Sequence, residues 1–407
     1  MNLPYYGHPN SFWQPAASSG IMGRDAQLVL EARLGPDWLI TDEQWRTQRS
    51  RAWRGLSSDQ TLEGVPIELI DARELNPDWL NPEFDDSSWP GATLLTATHD
   101  GALGESRPPL DPYGAMLPRG IATLGGDRVT PPTLTVQSAT PVSDLPDHPA
   151  DRLVHQLRTA GEPAATQLPL TITRYSDIAT VVTANFGRIV AGHVELAVEA
   201  PAGVRLDLFY QESAAYDAVA GPVASAPRSS ASYITRGVAD HYKAVDVNGL
   251  RQIFLLIPPG TGDVTIRDLA VSEYHYPFTG DATFTSSDAE LNRLYRAGVR
   301  TTQLNSFDAF TDCPTREQRA WVGDGVVHQM VHLVANSDWR LARNYITLGA
   351  SPRPDGMLPM SVVGEIEYRG GYTIPDWALH WVHGVWNLFR HDGDRAATLQ
   401  LLPVVER

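Results

Sequence analysis

The sequence predicts a multidomain chain in which β-sandwich or jelly-roll accessory domains precede an all-α domain. Three observations predict it. The chain has 407 residues, its apolar residues alternate with period two around positions 192–212, and they recur at helical intervals after position 280. A chain of this length, 42% hydrophobic, needs more than one ordinary core, so two or three domains are expected.

The β-rich front rests on particular strands. "GHVELAVEA" (192–200) sets Val194, Leu196 and Val198 against His193, Glu195 and Glu199, the pattern of a half-buried strand. "PAG" then turns the chain, and "VRLDLFYQE" (204–212) alternates through Val204, Leu206, Leu208 and Tyr210, which predicts a hairpin. "RQIFLLIP" and "DVTIRDLAVSEYHY" supply further strands of an antiparallel sandwich or jelly roll. Two stretches, 98–120 and 136–152, are rich in Pro, Gly and polar residues and read as connectors. The expected boundaries are an accessory β-sandwich domain with long connectors over 1–150, a second β-sandwich over 151–278, and the helical domain over 279–407.

The helical back has its own signals. Ser287 and Glu290 have capping-box spacing, and Leu291, Leu294, Tyr295 and Val299 follow at helical intervals. Residues 325–349 and 375–394 are also helix-like, the latter entered through Pro375 and left through "HDGD".

Composition narrows the function. A net charge of -16 argues against a nucleic-acid partner. Mean hydropathy is -0.23, and no uncharged apolar run reaches the roughly 18 residues of a membrane span, so no membrane partner is expected. The start, "MNLPYYGHPNSFW", lacks a basic region and an apolar region. The single cysteine, Cys313, allows no internal disulfide, which with that start points to the cytoplasm. The 11 tryptophans and 14 tyrosines suit sugar platforms and large cores equally.

One segment concentrates chemistry. "TDCPTREQRAWVGDG" (311–325) holds Asp312, Glu317 and Asp324 among Arg316, Arg319 and Trp321. Pro314 keeps Cys313 out of helical geometry and suits a first turn, which makes Asp312 an N-cap and puts Arg316 and Glu317 in the first turns. Carboxylates there are normally held ionised. Trp321, four residues after Glu317, would be the apolar wall that raises its pKa, with Asp312 or Asp324 as the like charge. Spacing alone fits both a capped helix with surface ion pairs and a carboxylate-lined sugar site.

"FTDCPTREQRAWVGD" resembles the signature of bacterial α-L-rhamnosidases of glycoside hydrolase family 78. "LITDEQWRTQ" (39–48) and residues 68–95 are similar to that family's first accessory β-domain, and "VTANFGRIVAGHVELAVEAPAGVRLDLFYQE" to its next one. "FTSSDAELNRLYRAGVRTTQLNSF" resembles the entry to its catalytic barrel, and "YTIPDWALHWVHGVWNLFRHDGD" a later helix pair. The resemblance implies an (α/α)6 barrel behind β-sandwich domains and inverting hydrolysis of terminal α-L-rhamnosyl linkages. It implies Glu317 as general acid, Asp312, Arg316 and Asp324 as holders of the sugar hydroxyls, and Trp321 as an aromatic surface. Asp376 and Trp377 are further substrate-binding candidates. The implied substrate is a rhamnosylated small molecule or polysaccharide, no cofactor is needed, and a homodimer stays open.

An inverting glycosidase also needs a second carboxylate, about 6.5–9.5 Å from the first. In the family this base is a glutamate late in the barrel, and nothing here matches it. Twelve helices with their loops need roughly 300 residues, more than 279–407 holds, so the barrel is expected to be truncated and this chain inactive. Glu365, Glu367, Asp392 and Asp394 are the substitute bases the sequence offers. The alternative is a non-catalytic, rhamnosidase-like carbohydrate-binding protein.

Other motifs read as structural. His328 and His332 have the spacing of metal ligands, but Gln329 stands where a metalloprotease has glutamate, so a core pair is expected and no metal site. Cys313 is expected to pack. "FDDSSW" (84–89) reads as a solvated turn before a buried Trp89.

Overall fold

The computed structural model describes residues 28, 30–55, 67–93, 119–145, 147, 149–212, 229–315, 318–350, 352, 355–358, 360–361 and 374–407. Among them β1 (Glu31–Leu34) and β2 (Asp37–Ile40) form a two-stranded hairpin of their own. The remaining strands are β3 (Trp53–Gly55), β4 (Glu68–Asp71), β5 (Arg128–Val129), β6 (Thr133–Ala139), β7 (Ala164–Thr166), β8 (Leu170–Thr173), β9 (Ala179–Glu199), β10 (Arg205–Gln211), β11 (Ser230–Ile234), β12 (Ala239–Lys243), β13 (Asn248–Ile257) and β14 (Asp263–Glu273). They make one hydrogen-bonded network.

The organiser is β9, 21 residues long. Its first part, Ala179–Asn185, pairs with β6 on one side and β13 on the other. Beyond β13 that layer continues through β10, β11, β4 and β3. Past Gly187, at φ +72°, β9 enters a second layer, where residues 195–199 lie between β12 and β14. A strand that changes layers at a bend turns one network into a sandwich. Inward-facing Val194, Leu196, Leu206, Leu208, Leu250, Ile253 and Leu269 fill the space between the layers, each fully buried.

The alternation therefore identified the buried faces correctly, but the expected hairpin is wrong. β9 and β10 are consecutive and do not pair: β10 lies between β11 and β13. Period two reports which face is covered and not which strand lies alongside. The sheet is also mixed, since β11 and β4 run parallel. The stretch 136–152, expected as a connector, instead holds most of β6 and the start of helix α1 (Pro149–Leu157). Leu153 and Leu157 of α1 cover Phe209, Phe254 and Leu256 on the outer face of the sheet. Residue 150, the expected domain boundary, falls between strands β6 and β7, which pair with each other.

The back of the chain is helical: α2 (Ala289–Leu304), α3 (Val322–Ala335), α4 (Arg340–Gly349), α5 (Pro375–Asp392) and α6 (Arg395–Val405). Asp288, rather than Ser287, caps α2, accepting from the Glu290 N–H at 2.8 Å. The expected helix over 325–349 is two helices, because "NSDW" breaks it. There Asn336 Oδ1 accepts from Thr279 N–H, and Asp338 Oδ1 takes the Arg340 N–H. Pro375 opens α5 and Gly393, at φ +66°, closes it, as predicted. A second core of Phe310, Val322, Leu341, Tyr345, Ile346 and Trp381 holds these helices together. Tyr276, leaving β14, is buried in that core and donates to Asp338 at 2.7 Å. No helix among the described residues is long and apolar enough to cross a membrane.

Candidate active site

Helices α3 and α5 run side by side in the same direction. Gly323 meets Trp377 at one end, and Val326 and Gln329 meet Gly384 further along. Their amino ends thus share one end of the helical array, and each carries an acid in its first turn, Asp324 on α3 and Asp376 on α5. Two helix dipoles aimed at one place favour negative charge there.

Trp321 is the N-cap residue of α3 and is 6% exposed. Its ring lies 5.6 Å from that of Trp377, tilted by 58°. The pair fits because residue 323 is glycine: a Cβ there would stand 2.4 Å from Trp377 Nε1. Val322 N–H donates to Met360 carbonyl at 2.7 Å and Tyr345 hydroxyl to Val322 carbonyl at 2.5 Å, so the amino end of α3 is fixed from two sides. Burial, and then the negative charge of Asp324, pushes the Tyr345 hydroxyl above the ordinary tyrosine range.

The segment before α3 departs from expectation. Residues 318–320 are not helical, so Asp312 is not a helix N-cap and Trp321 does not lie one helical turn beyond Glu317. Asp312 closes a loop on itself. Its N–H donates to Arg319 carbonyl at 2.9 Å, and its Oδ1 accepts from Arg319 N–H at 2.8 Å. Gln318 has φ +53°, a conformation uncommon for a residue with a side chain, which lets the loop turn back. Cys313 is half-buried and its thiol donates to Asp312 Oδ2 at 2.9 Å. A carboxylate has about four lone-pair sites, so two contacts leave Asp312 capacity for hydroxyls. Its charge is felt at His328, one turn beyond Asp324 on α3, where it opposes the lowering by burial. Asp312 and Asp324 therefore attend the same side of α3.

Arg316 and Glu317, as well as Glu365 and Glu367, lie outside the described residues. Asp392 and Asp394 do not belong to the site. They sit at the far end of α5, about 24 Å from Asp376 at 1.5 Å per residue. There Asp392 accepts from Arg343 at 3.2 Å and Asp394 caps α6. His332 is a core residue. It is 0% exposed, lies among Tyr276, Phe278 and Phe310, and donates from Nε2 to Asp338 carbonyl at 2.9 Å. No group of three or more His, Cys, Asp or Glu among the described residues is placed to hold a metal.

Sequence reading missed the residues that hold the loop from outside: Glu212 just past β10, Val247 just before β13, and Gly249 within β13. Gly249 N–H donates to Pro314 carbonyl at 2.9 Å, and Thr315 hydroxyl bonds Gly249 carbonyl at 3.0 Å and also Glu212. Gln318 Nε2 donates to Val247 carbonyl at 2.7 Å. A lone glycine in a strand is the one signal of such a close approach.

Residues 280–406 match the family model of the bacterial α-L-rhamnosidase six-hairpin glycosidase domain. Over those residues the expected resemblance to bacterial α-L-rhamnosidases is borne out. The chain shares its fold with the family 78 rhamnosidase of Bacillus sp. GL1, at 17% identity and a TM-score of 0.73 over 92% of this chain and 57% of that one. It is also similar to the α-L-rhamnosidase of Dictyoglomus thermophilum, at 18% identity and TM-score 0.63, covering 91% of this chain and 35% of that one. A third similar structure is the Streptomyces avermitilis α-L-rhamnosidase complexed with L-rhamnose, at 17% identity and TM-score 0.61, covering 91% and 30%. The chain thus spans between about a third and somewhat over half of these structures. A search of curated proteins finds no match.

Proposed function

We propose that this chain forms one wall of the sugar pocket of an inverting glycoside hydrolase that releases terminal α-L-rhamnose from rhamnosides. The observation that carries the reading is the meeting of Trp321 and Trp377, with ring centroids 5.6 Å apart, beside the carboxylates at the shared amino ends of α3 and α5. An indole face suits the apolar face of a deoxysugar, while Asp312, Arg316, Asp324 and Asp376 offer charged partners to its hydroxyls.

In this reading Glu317 protonates the leaving glycosidic oxygen, the bond from C1 breaks as that proton arrives, and a water adds from the opposite face. The carboxylate that activates this water is not assigned among the described residues. The Asp392 and Asp394 alternatives fall with their position at the far end of α5. Support for rhamnose as the sugar comes from the family match and from the bound L-rhamnose in the Streptomyces avermitilis relative.

The test is hydrolysis of an activated aryl α-L-rhamnoside, with the anomer first released read by proton NMR. Any turnover by this chain is expected to release the β-anomer first and to slow by about 10²–10⁴-fold in Glu317→Gln on a rhamnoside with a poor leaving group. Release of the α-anomer, or full activity of the variant, would overturn the assignment. Saturable rhamnose binding without turnover would favour the carbohydrate-binding alternative.

A further inference from the structure

We infer that the β-sandwich is a working part of this site, because the edge of β13 holds the acid-bearing loop and Gly249, Thr315 and Glu212 are positioning residues for Glu317. The inference rests on the reading of Glu317 as general acid.

The last pair between β10 and β13 is Gln211 with Gln252. Before Gln252, the start of β13 keeps β9 on one side, through Asn248, Gly249 and Leu250, and has no β10 residue on the other. A strand edge with no neighbouring strand among the described residues presents N–H and C=O groups that require partners. Pro314 and Thr315 supply them for Gly249. Pro314 carbonyl takes the Gly249 N–H at 2.9 Å, and the Thr315 hydroxyl reaches Gly249 carbonyl at 3.0 Å. Glu212, the residue after β10 ends, bonds the same hydroxyl. Gln318, on the other side of residues 316 and 317, donates to Val247 carbonyl at 2.7 Å and to Pro314 carbonyl at 2.9 Å.

Thr315 and Gln318, the described residues on either side of 316 and 317, therefore both bond to the sandwich. The fit is close. A Cβ on residue 249 would stand 2.6 Å from Pro314 Cγ and from Thr315 Oγ1. Thr315 is 2% exposed, so its hydroxyl has no ready exchange with water. Displacement of a reacting group by about 1 Å costs on the order of a hundredfold in rate. An anchor two residues from the acid is thus able to control turnover without touching substrate.

The experiment compares Thr315→Val, Thr315→Ser, Gly249→Ala and Glu317→Gln in the whole chain. Turnover of an aryl α-L-rhamnoside and hydrogen exchange of the 312–321 peptide are both measured. Thr315→Val is expected to lower kcat about tenfold or more with KM within about threefold, and Thr315→Ser to restore it. Exchange at 312–321 should quicken about tenfold in Thr315→Val and Gly249→Ala, while β9 peptides keep wild-type rates. If Glu317→Gln abolishes turnover and Thr315→Val keeps wild-type kcat, the positioning inference is overturned and the acid assignment stands. If Glu317→Gln is fully active, the acid assignment fails instead. For a chain without turnover the exchange decides: unchanged rates at 312–321 in both loop variants would sink the inference.

Discussion

Gly323 illustrates how much of this site depends on single atoms. Its missing Cβ is the space in which the Trp377 indole rests against Trp321, and the substitution Gly323→Ala would put a methyl 2.4 Å from the indole nitrogen. We expect that variant to lose about 1–3 kcal/mol of stability and to change the tryptophan emission, because the ring must move. A thermal melt and an emission spectrum check both; an unchanged spectrum would mean that the pair is loosely held. The same scale shows where sequence reading succeeds and fails. Asp312, Trp321, Asp324 and Trp377 could be named from the signature and the later helix pair, and all four belong to one end of the array. Their local geometry could not. Pro314 allows a helix to start, but the bonds between Asp312 and Arg319 close a loop instead, and α3 begins only at Val322. Residue types suggested the cap; a bond across seven residues decided against it.

Among the elements, β9 and α3 carry the most. The alternation of Val194, Leu196 and Val198 was legible because burial of one face leaves a period-two trace. The partners of β9 were not legible, because pairing with β6, β13, β14 and β12 is set by contacts far apart in sequence. Gly187 alone hints at the change of layer. Helix α3 shows a pH effect of definite sign. Burial holds the pKa of His332 down at about 4, against an ordinary 6.5. Between those values the unfolded chain takes up a proton that the folded chain refuses, so stability is complete above pH 6.5 and falls as pH drops toward 4. This one group accounts for up to about 3 kcal/mol over that window. His332→Phe should fill the same aromatic surroundings without the proton. Urea midpoints at pH 7 and pH 4.5 should therefore differ less in the variant than in wild type; equal differences would remove His332 as the cause.

Taken whole, the molecule joins its sandwich and its helices at several points that do not depend on one another. Arg300 of α2 bonds Glu273 of β14 and Ile189 carbonyl of β9, Tyr276 enters the helical core, and Pro314 and Thr315 dock on Gly249 of β13. Contacts of this kind couple the two parts, and we expect one cooperative unfolding transition. Far-ultraviolet circular dichroism and tryptophan fluorescence should give coincident curves, whereas two separated transitions would mean that the parts fold alone. The order of β-rich front and helical back was plain from composition and periodicity. What periodicity could not convey is that the sandwich reaches into the site, since Glu212 and Gly249 are more than 60 residues from Thr315 and carry no motif.

We propose a rhamnose pocket at the end of the array where α3 and α5 begin. Titration of L-rhamnose against the intrinsic tryptophan fluorescence of wild type and Asp324→Asn tests it most directly, because binding needs no general base. A saturable change is expected in wild type, weakened about tenfold or more in the variant, the usual cost of losing a charged hydrogen-bond partner. No saturable change, or one identical in the two proteins, would contradict the account.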